Sequence, residues 1–254
     1  MPTNTMALTD ADISSIERAT LDAVAPPAAQ ELEGWLLPFD KSTIRRAKSA
    51  VPLRHSNLDA KQLAKIEVLY AERGLQTAFR IADVPGLANI QDALQRCGYR
   101  AEQPTLVLVG TVQNMRKISQ ATPAEVTTTP TPAWSAVYLG EGFDPVDGAH
   151  RIQALSRSRH VVYASVQESD QSVAAGTASL SHGWASIHGM RTLASSRGKG
   201  LAARILAGLA DRAAAHALEK VFLQVEESNS AALALYRRAG FCTAWRYYYW
   251  QRAG

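Results

Sequence analysis

The stretch Arg197-Gly198-Lys199-Gly200-Leu201-Ala202 decides how the rest of this 254-residue chain is read. Before it, Trp184 to Leu193 has the character of a strand. After it, Leu201 to Leu218 is alanine-rich, with Leu201, Ile205, Leu209 and Ala213 at every fourth position, which forms one face of a helix. A glycine-rich turn at such a junction leaves the first helical N–H groups open, and the aligned peptide dipoles add positive potential there. A phosphate can accept several of these hydrogen bonds at once, provided no side chain blocks the backbone. Gly198 and Gly200 give that access, Arg197 and Lys199 add charge, and Ala202 is small. The stretch is not a Walker loop, because the closing Gly-Lys-Ser/Thr is missing. Nor is it the dinucleotide fingerprint, because the third glycine and the later acidic residue are missing. On its own it fits a ligand-free connection as well as a phosphate cradle.

Around this stretch the C-terminal half has a clear order. His160 to Gln167 and Val173 to Leu180 read as strands on either side of the polar turn Glu168 to Ser172, and Ser181-His182-Gly183 turns the chain into the next strand. Beyond the helix come a short strand, Val221 to Val225, and a helix, Ser230 to Ala239, stopped by Gly240. The aromatic-rich segment Cys242 to Gln251 follows and favours a strand. A Thr/Pro-rich stretch, Ala121 to Ala133, divides the sequence nearly in half; within it Glu125 to Thr129 could form a strand.

The N-terminal half repeats the order in weaker form. Glu33 to Phe39 and Thr43 to Leu53 read as strands around Asp40, and Asp59 to Arg73 as a helix with Leu63, Ile66 and Tyr70 on one face. Gln76 to Ala82 reads as a strand, Ile90 to Cys97 as a helix ended by Gly98, and Pro104 to Val112 as a strand. Leu94-Gln95-Arg96-Cys97-Gly98-Tyr99 parallels Tyr236-Arg237-Arg238-Ala239-Gly240-Phe241, so a degenerate internal repeat is expected, with domains at 1–117 and 118–254. The equivalent of the glycine-rich junction, Val51 to Asn57, contains no glycine.

The segment Arg197 to Ala202 resembles the Arg/Gln-x-x-Gly-x-Gly/Ala signature of the GNAT superfamily of acyl-CoA-dependent N-acetyltransferases. Leu223-Gln224-Val225, Asn229, Ala232, Leu235-Tyr236 and Gly240-Phe241 resemble its closing strand–helix–strand segment. The resemblance covers about Val161 to Trp250, and more loosely the N-terminal half. It implies an α+β fold with a GNAT-type mixed, mainly antiparallel sheet flanked by helices, in two tandem GNAT-like halves. It also implies acetyl-CoA as cosubstrate, with the pantetheine arm held by Met190, Arg191 and Thr192 and the pyrophosphate by Arg197, Gly198, Lys199, Gly200, Leu201 and Ala202. Asn229 would contact the cofactor and Tyr236 would protonate the departing thiolate; Asn229 is equally suited to cap its helix. The expected reaction is acetyl transfer to a primary amine by direct attack in a ternary complex. A non-enzymatic acyl-CoA sensor using the same cleft is the alternative.

Direct attack needs a neutral amine, so a proton must leave it. By period-two alternation Ser186, His188, Met190 and Thr192 share one face of their strand, which makes His188 the first candidate base; Glu226 and Glu227 are alternatives. An ordinary hydrogen-bonded histidine would account for His188 equally well, and His182 lies in a turn. In the N-terminal half, Trp35, Arg45 and Arg46 are candidates for a surface that helps shape the acceptor site.

The net charge of +4 favours an anionic ligand without pointing to nucleic acid. Lys41, Arg45, Arg46, Lys48 and Arg54 read as the polar face of a strand. Two cysteines and no signal-like N-terminus imply reduced thiols and the cytoplasm. No apolar run is long enough for a bilayer, and the six scattered histidines suggest no metal site. The acceptor is read as a small-molecule or peptide amine, and a homo-oligomer stays open.

Overall fold

The structure is a computed structural model that describes residues 8–169 and 171–252. The N-terminal half runs α1 (Asp10–Val24), β1 (Ala28–Leu32), β2 (Trp35–Phe39), β3 (Val51–Pro52), α2 (Gln62–Ala71), β4 (Phe79–Ala82), α3 (Ala88–Arg96) and β5 (Tyr99–Thr111). A connecting region follows, with α4 (Val112–Arg116), β6 (Glu125–Thr127) and α5 (Pro132–Tyr138). Next come α6 (Pro145–Arg157), β7 (Val161–Glu168), β8 (Gln171–Ser181), β9 (Trp184–Thr192), α7 (Leu201–Ala215), β10 (Lys220–Glu226), α8 (Ser230–Arg238) and β11 (Cys242–Arg252). The series from α6 to β11 repeats the series from α1 to β5, helix for helix and strand for strand.

The main sheet has the order β4-β11-β5-β10-β9-β8-β7-β6, and β1-β2-β3 form a second sheet joined to it by the bridge Ala50↔Phe79. The two halves have exchanged their last strands. β5 lies antiparallel between β10 and β11 of the other half, and β11 lies antiparallel between β5 and β4. Parallel pairing occurs at equivalent places in each half, as Lys220↔Trp184 to Leu223↔Ile187 and as the Ala50↔Phe79 bridge. The packing follows the exchange: Trp184 and Phe222 of the C-terminal half are buried in one cluster with Trp35, Ile66 and Phe79 of the other.

Several elements differ from the sequence reading for local reasons. Thr43 to Leu53 is not a strand; a 3-10 turn, Arg45–Ala47, precedes the two-residue β3. Ile44 and Ala47 are buried with Val24 of α1 and Ala154 of α6, and Ser49 Oγ donates to Arg45 O at 2.6 Å, which together hold the turn. The basic cluster therefore does not form a polar strand face. β2 starts at Trp35 because Glu33 and Gly34, with φ of 47° and 90°, make the tight turn of a β1–β2 hairpin. The first helix, α1, was not anticipated. It opens on a capping box in which Thr9 and Asp12 exchange side-chain and backbone hydrogen bonds, and it lies across β8 and β9, where Ser15 Oγ meets Trp184 Nε1 at 2.8 Å.

Candidate active site

Gly198 and Gly200 adopt positive φ, 80° and 77°, and a Cβ at either would meet no atom within 4 Å. Backbone curvature rather than crowding therefore calls for glycine here. Among the described residues, the N–H groups of Gly198, Lys199, Gly200, Leu201 and Ala202 meet no backbone acceptor. Gly200 is the N-cap residue of α7, and no side chain caps that helix. A run of adjacent donors thus stands open at the N-terminus of α7, an arrangement of the kind that can accept an anion. Lys199 Nζ lies 2.8 Å from Glu168 Oε2, which also accepts from Ser196 Oγ at 3.3 Å. These contacts, Lys199 first, hold the Glu168 carboxyl below its ordinary range. Arg197 Nε turns back toward Thr192 O, at 3.4 Å.

The strand leading to this turn is interrupted. β9 and β8 pair Thr177↔His188 and then Ala175↔Arg191, so Gly189 and Met190 together oppose Gly176 in a bulge. Gly189 has φ of 63°, and a Cβ on it would lie 2.6 Å from Tyr138 Oη. The bulge ends the period-two alternation: His188 and Arg191 lie on the same side as Thr177 and Ala175. Met190 instead packs toward Ile205 of α7, since a Cβ on Gly176 would strike both Met190 Sδ and Ile205 Cγ2. The expected face of Ser186, His188, Met190 and Thr192 is thus corrected to Ser186, His188 and Arg191. The Arg191 guanidinium leaves the strand for Asp147 Oδ2 at 2.6 Å and for the Phe143 ring. On the other edge of β9, pairing with β10 stops at Ile187↔Leu223, and from there the two strands part.

Where they part, the structure opens a cavity of about 340 Å³. From α8 it is lined by Asn229, Ala232 and Tyr236; from β9 and β10 by Ile187 to Met190 and Leu223 to Glu226. Leu223 and Val225 share a core cluster with Tyr236, whereas Gln224 Nε2 donates to Thr20 of α1 at 2.9 Å. Successive strand residues face opposite sides, so the cavity passes through the sheet. Asn229 caps α8, its Oδ1 accepting from Ala232 N at 3.1 Å, and still lines the cavity. Tyr236 is buried, its ring edge against Phe241, and burial pushes its hydroxyl up to about 12.

On the α1 side, the cavity is lined by Thr43 to Arg46, Arg151, Gln103, Tyr247 and Tyr249. His188 is buried beside them. Its Nε2 has no hydrogen-bond partner among the described residues. Burial first, then the charges of Arg46 and Arg151, hold its pKa well below the ordinary imidazole value. Glu226 lines the cavity and accepts from Gln103 Nε2 at 2.5 Å. Glu227 lies outside it, 3.6 Å from Arg246. Arg45 and Arg46 do reach the site, whereas Trp35 does not: it is fully buried, its Nε1 donating to Gln62 Oε1 at 2.7 Å. Arg151, Gln103, Tyr247 and Tyr249 were not anticipated. The alternation of Tyr247 and Tyr249 along an aromatic strand was the available signal for two of them.

The free donors at Gly198 to Ala202 suit a pyrophosphate, and the end of β9, unpaired on its β10 edge, leads from them to Tyr236; these residues fit a bound acyl-CoA. A glycine-rich turn with open donors, a splayed parallel strand pair and a buried tyrosine at the gap fit the fold of a GNAT-superfamily acyltransferase. Residues 10–250 match the family described as "Probable histone acetyltransferase Rv0428c C-terminal", and the chain belongs to that family. It is a GNAT-type acetyltransferase. The chain is 24% identical over 252 residues to the "Uncharacterized N-acetyltransferase YobR" of Bacillus subtilis (strain 168), covering 94% of this chain and 98% of the relative. Its fold is similar to a GCN5-related N-acetyltransferase from Kribbella flavida, with TM-score 0.69 and 16% identity over 95% of this chain and 96% of that one. It is also similar to a tandem GNAT protein from the clavulanic acid biosynthesis pathway, with TM-score 0.60 and 14% identity over 94% of each chain. Among the described residues no helix is long and apolar enough to cross a membrane, and no cluster of His, Cys, Asp and Glu is arranged to hold a metal.

Proposed function

We propose that the protein transfers acetyl from acetyl-CoA to a primary amine by direct attack in a ternary complex. The observation that carries this is the cavity through the sheet, which brings Tyr236 from α8 and His188 from β9 to one space. Gly198 to Ala202 would hold the pyrophosphate, and Met190 to Thr192, with Asn229, the pantetheine arm. Bound there, acetyl-CoA supplies an activated acyl carbon and a thiolate leaving group. Tyr236, kept protonated by burial, donates its proton to the departing sulfur as the C–S bond breaks. His188, held neutral, accepts the proton that the amine loses as the C–N bond forms; Glu226 is the second candidate for that role. Cys97 and Cys242 are free and exposed, and neither lines the cavity, which favours direct attack over a covalent relay. We assign catalysis to residues 118–254 and a supporting role to residues 1–117. We infer a cytoplasmic setting, which the two free thiols support.

Purified protein given acetyl-CoA and a broad panel of amines should release free thiol. Binding of CoA with no release from any amine would instead favour a sensor.

A further inference from the structure

We propose that the acceptor amine carries a carboxylate, and that Arg46, supplied by the non-catalytic half, binds it. This rests on the acetyltransferase reading and names the substrate class for the same cavity.

The cavity holds more positive charge than its neighbours neutralise. Three of its lining residues are arginines, Arg45, Arg46 and Arg151, and its lining carboxylate, Glu226, is already engaged by Gln103. Arg45 is satisfied. Its guanidinium donates to Gln103 Oε1 at 2.7 Å and to Glu102 and Gln251, each at 3.0 Å, and it stacks 4.4 Å from the Tyr249 ring centre. Arg151 is held by Asp147 Oδ2 at 2.6 Å. Arg46 makes neither an ion pair nor a hydrogen bond among the described residues, and its Nε is buried without a partner.

The nearby carboxylate that could have served Arg46 is committed elsewhere. Glu17 of α1 feels the charge of Arg46, but both its oxygens are taken by the buried Arg80. Glu17 and Arg80 pair with each other, and Arg46 is left as a surplus cation whose charge is felt at Glu17, His188 and Tyr249. A half-buried guanidinium with open donors matches a carboxylate, which it can grip in parallel bonds. The pyrophosphate is not the intended anion, because none of Arg197 to Ala202 lines this cavity.

Size and charge agree. At about 340 Å³ the cavity sits at the small end of ligand sites, roughly 300–1,000 Å³. That suits a small amino carboxylate beside the acyl group. The arginines also disfavour an ammonium, so they help present the acceptor as the neutral amine that attack requires. A lysine-rich peptide would bring further positive charge into the same field.

The test compares L-amino acids with their carboxamides, and with a lysine-rich peptide, as acceptors by thiol release. The acids should exceed the amides by about ten- to hundred-fold in kcat/KM, chiefly through KM. Arg46→Gln should erase the preference, and Arg46→Lys should restore part of it. Equal use of acid and amide, preference for the peptide, or an Arg46→Gln enzyme that keeps its preference would each overturn the proposal while leaving the acetyltransferase reading intact. If no amine releases thiol, that reading fails, and calorimetry decides the anion site. N-acetyl amino acids should then bind the CoA-loaded protein about ten-fold or more tighter than their amides, and Arg46→Gln should remove the difference. Equal binding of the two would overturn it.

Discussion

The two halves share an element order and differ at the glycine-rich turn and at the candidate acid. The C-terminal half has Gly198 and Gly200 at its strand-to-helix junction; the N-terminal half has Leu53 to Asn57. Tyr236 has Leu94 as its counterpart, fully buried in the core. Where β9 and β10 part there is a cavity. At the counterpart of the glycine-rich junction, His55 lies against the Trp245 ring, 4.9 Å between centres. The topology alone does not make a site. The C-terminal half has open space and a hydroxyl where its strands part, and free donors at the turn; the N-terminal half has the buried Leu94 in place of the hydroxyl and no glycine at its junction. What the N-terminal half retains is a wall: the 3-10 turn that carries Arg45 and Arg46 into its partner's cavity.

The largest test of this contrast is at the acid. Tyr236→Phe should lower kcat by about 10²- to 10⁴-fold, the usual contribution of a positioned acid, with little change in CoA binding. Unchanged turnover would remove Tyr236 from the role and reduce the difference between the halves to one of binding.

Strand exchange can be challenged next. Leu108 belongs to β5 of the N-terminal half but packs in the C-terminal core. Leu108→Ala should cost about 2–5 kcal/mol and shift one shared unfolding transition. Two transitions, with only one moved, would show halves that fold independently.

The glycine-rich turn gives a smaller effect. Gly200→Val places a β-branched residue at φ of 77° and should cost about 1–2 kcal/mol locally, weakening acetyl-CoA binding about ten-fold. Leu53→Val, at the counterpart junction, should leave acetyl-CoA binding unchanged.

The smallest effect is on stability against pH. Burial lowers His55 from 6.5 to about 4, so the unfolded chain binds a proton there that the folded chain refuses. The stabilisation is complete above about pH 6.5 and should fall by up to about 1.4 kcal/mol per pH unit from there toward pH 4. His55→Phe should remove its share of the slope in thermal melts at successive pH values, leaving the share of the buried His188; an unaltered slope would mean that His55 is not held neutral. Tyr236, at about 12, predicts no alkaline loss of turnover from its own ionisation below about pH 11.

What the sequence displayed of all this depended on how local the cause was. The turn at Gly198 and Gly200, α7, and the pair Asn229 and Tyr236 are written in short spacings, and they were legible. The face of His188 was misassigned after Gly189, because a bulge depends on what Gly176 meets across the sheet. Arg45 and Arg46 were visible as charges, but their direction is set by Ile44 and Ala47 wedged between α1 and α6, more than a hundred residues apart in the chain. Two helices, α5 in the connecting region and α6 after it, were missed although their starts were marked. Thr131-Pro132 and Asp144-Pro145 each join a side-chain cap to a proline in the first turn.

The exchanged strands also bear on how the protein exists at low concentration. Two separate GNAT folds trading strands would form a dimer that dilution could take apart, and with it the arginine wall of the site. Here both partners lie on one chain, so their effective concentration is fixed by the connection from α4 to α6. A chain cut at that connection would leave β10 without β5 along seven paired residues, Lys220 to Glu226. Such an edge is a template for pairing with another copy. The N-terminal half thus covers, within the same chain, the edge that β10 would otherwise expose.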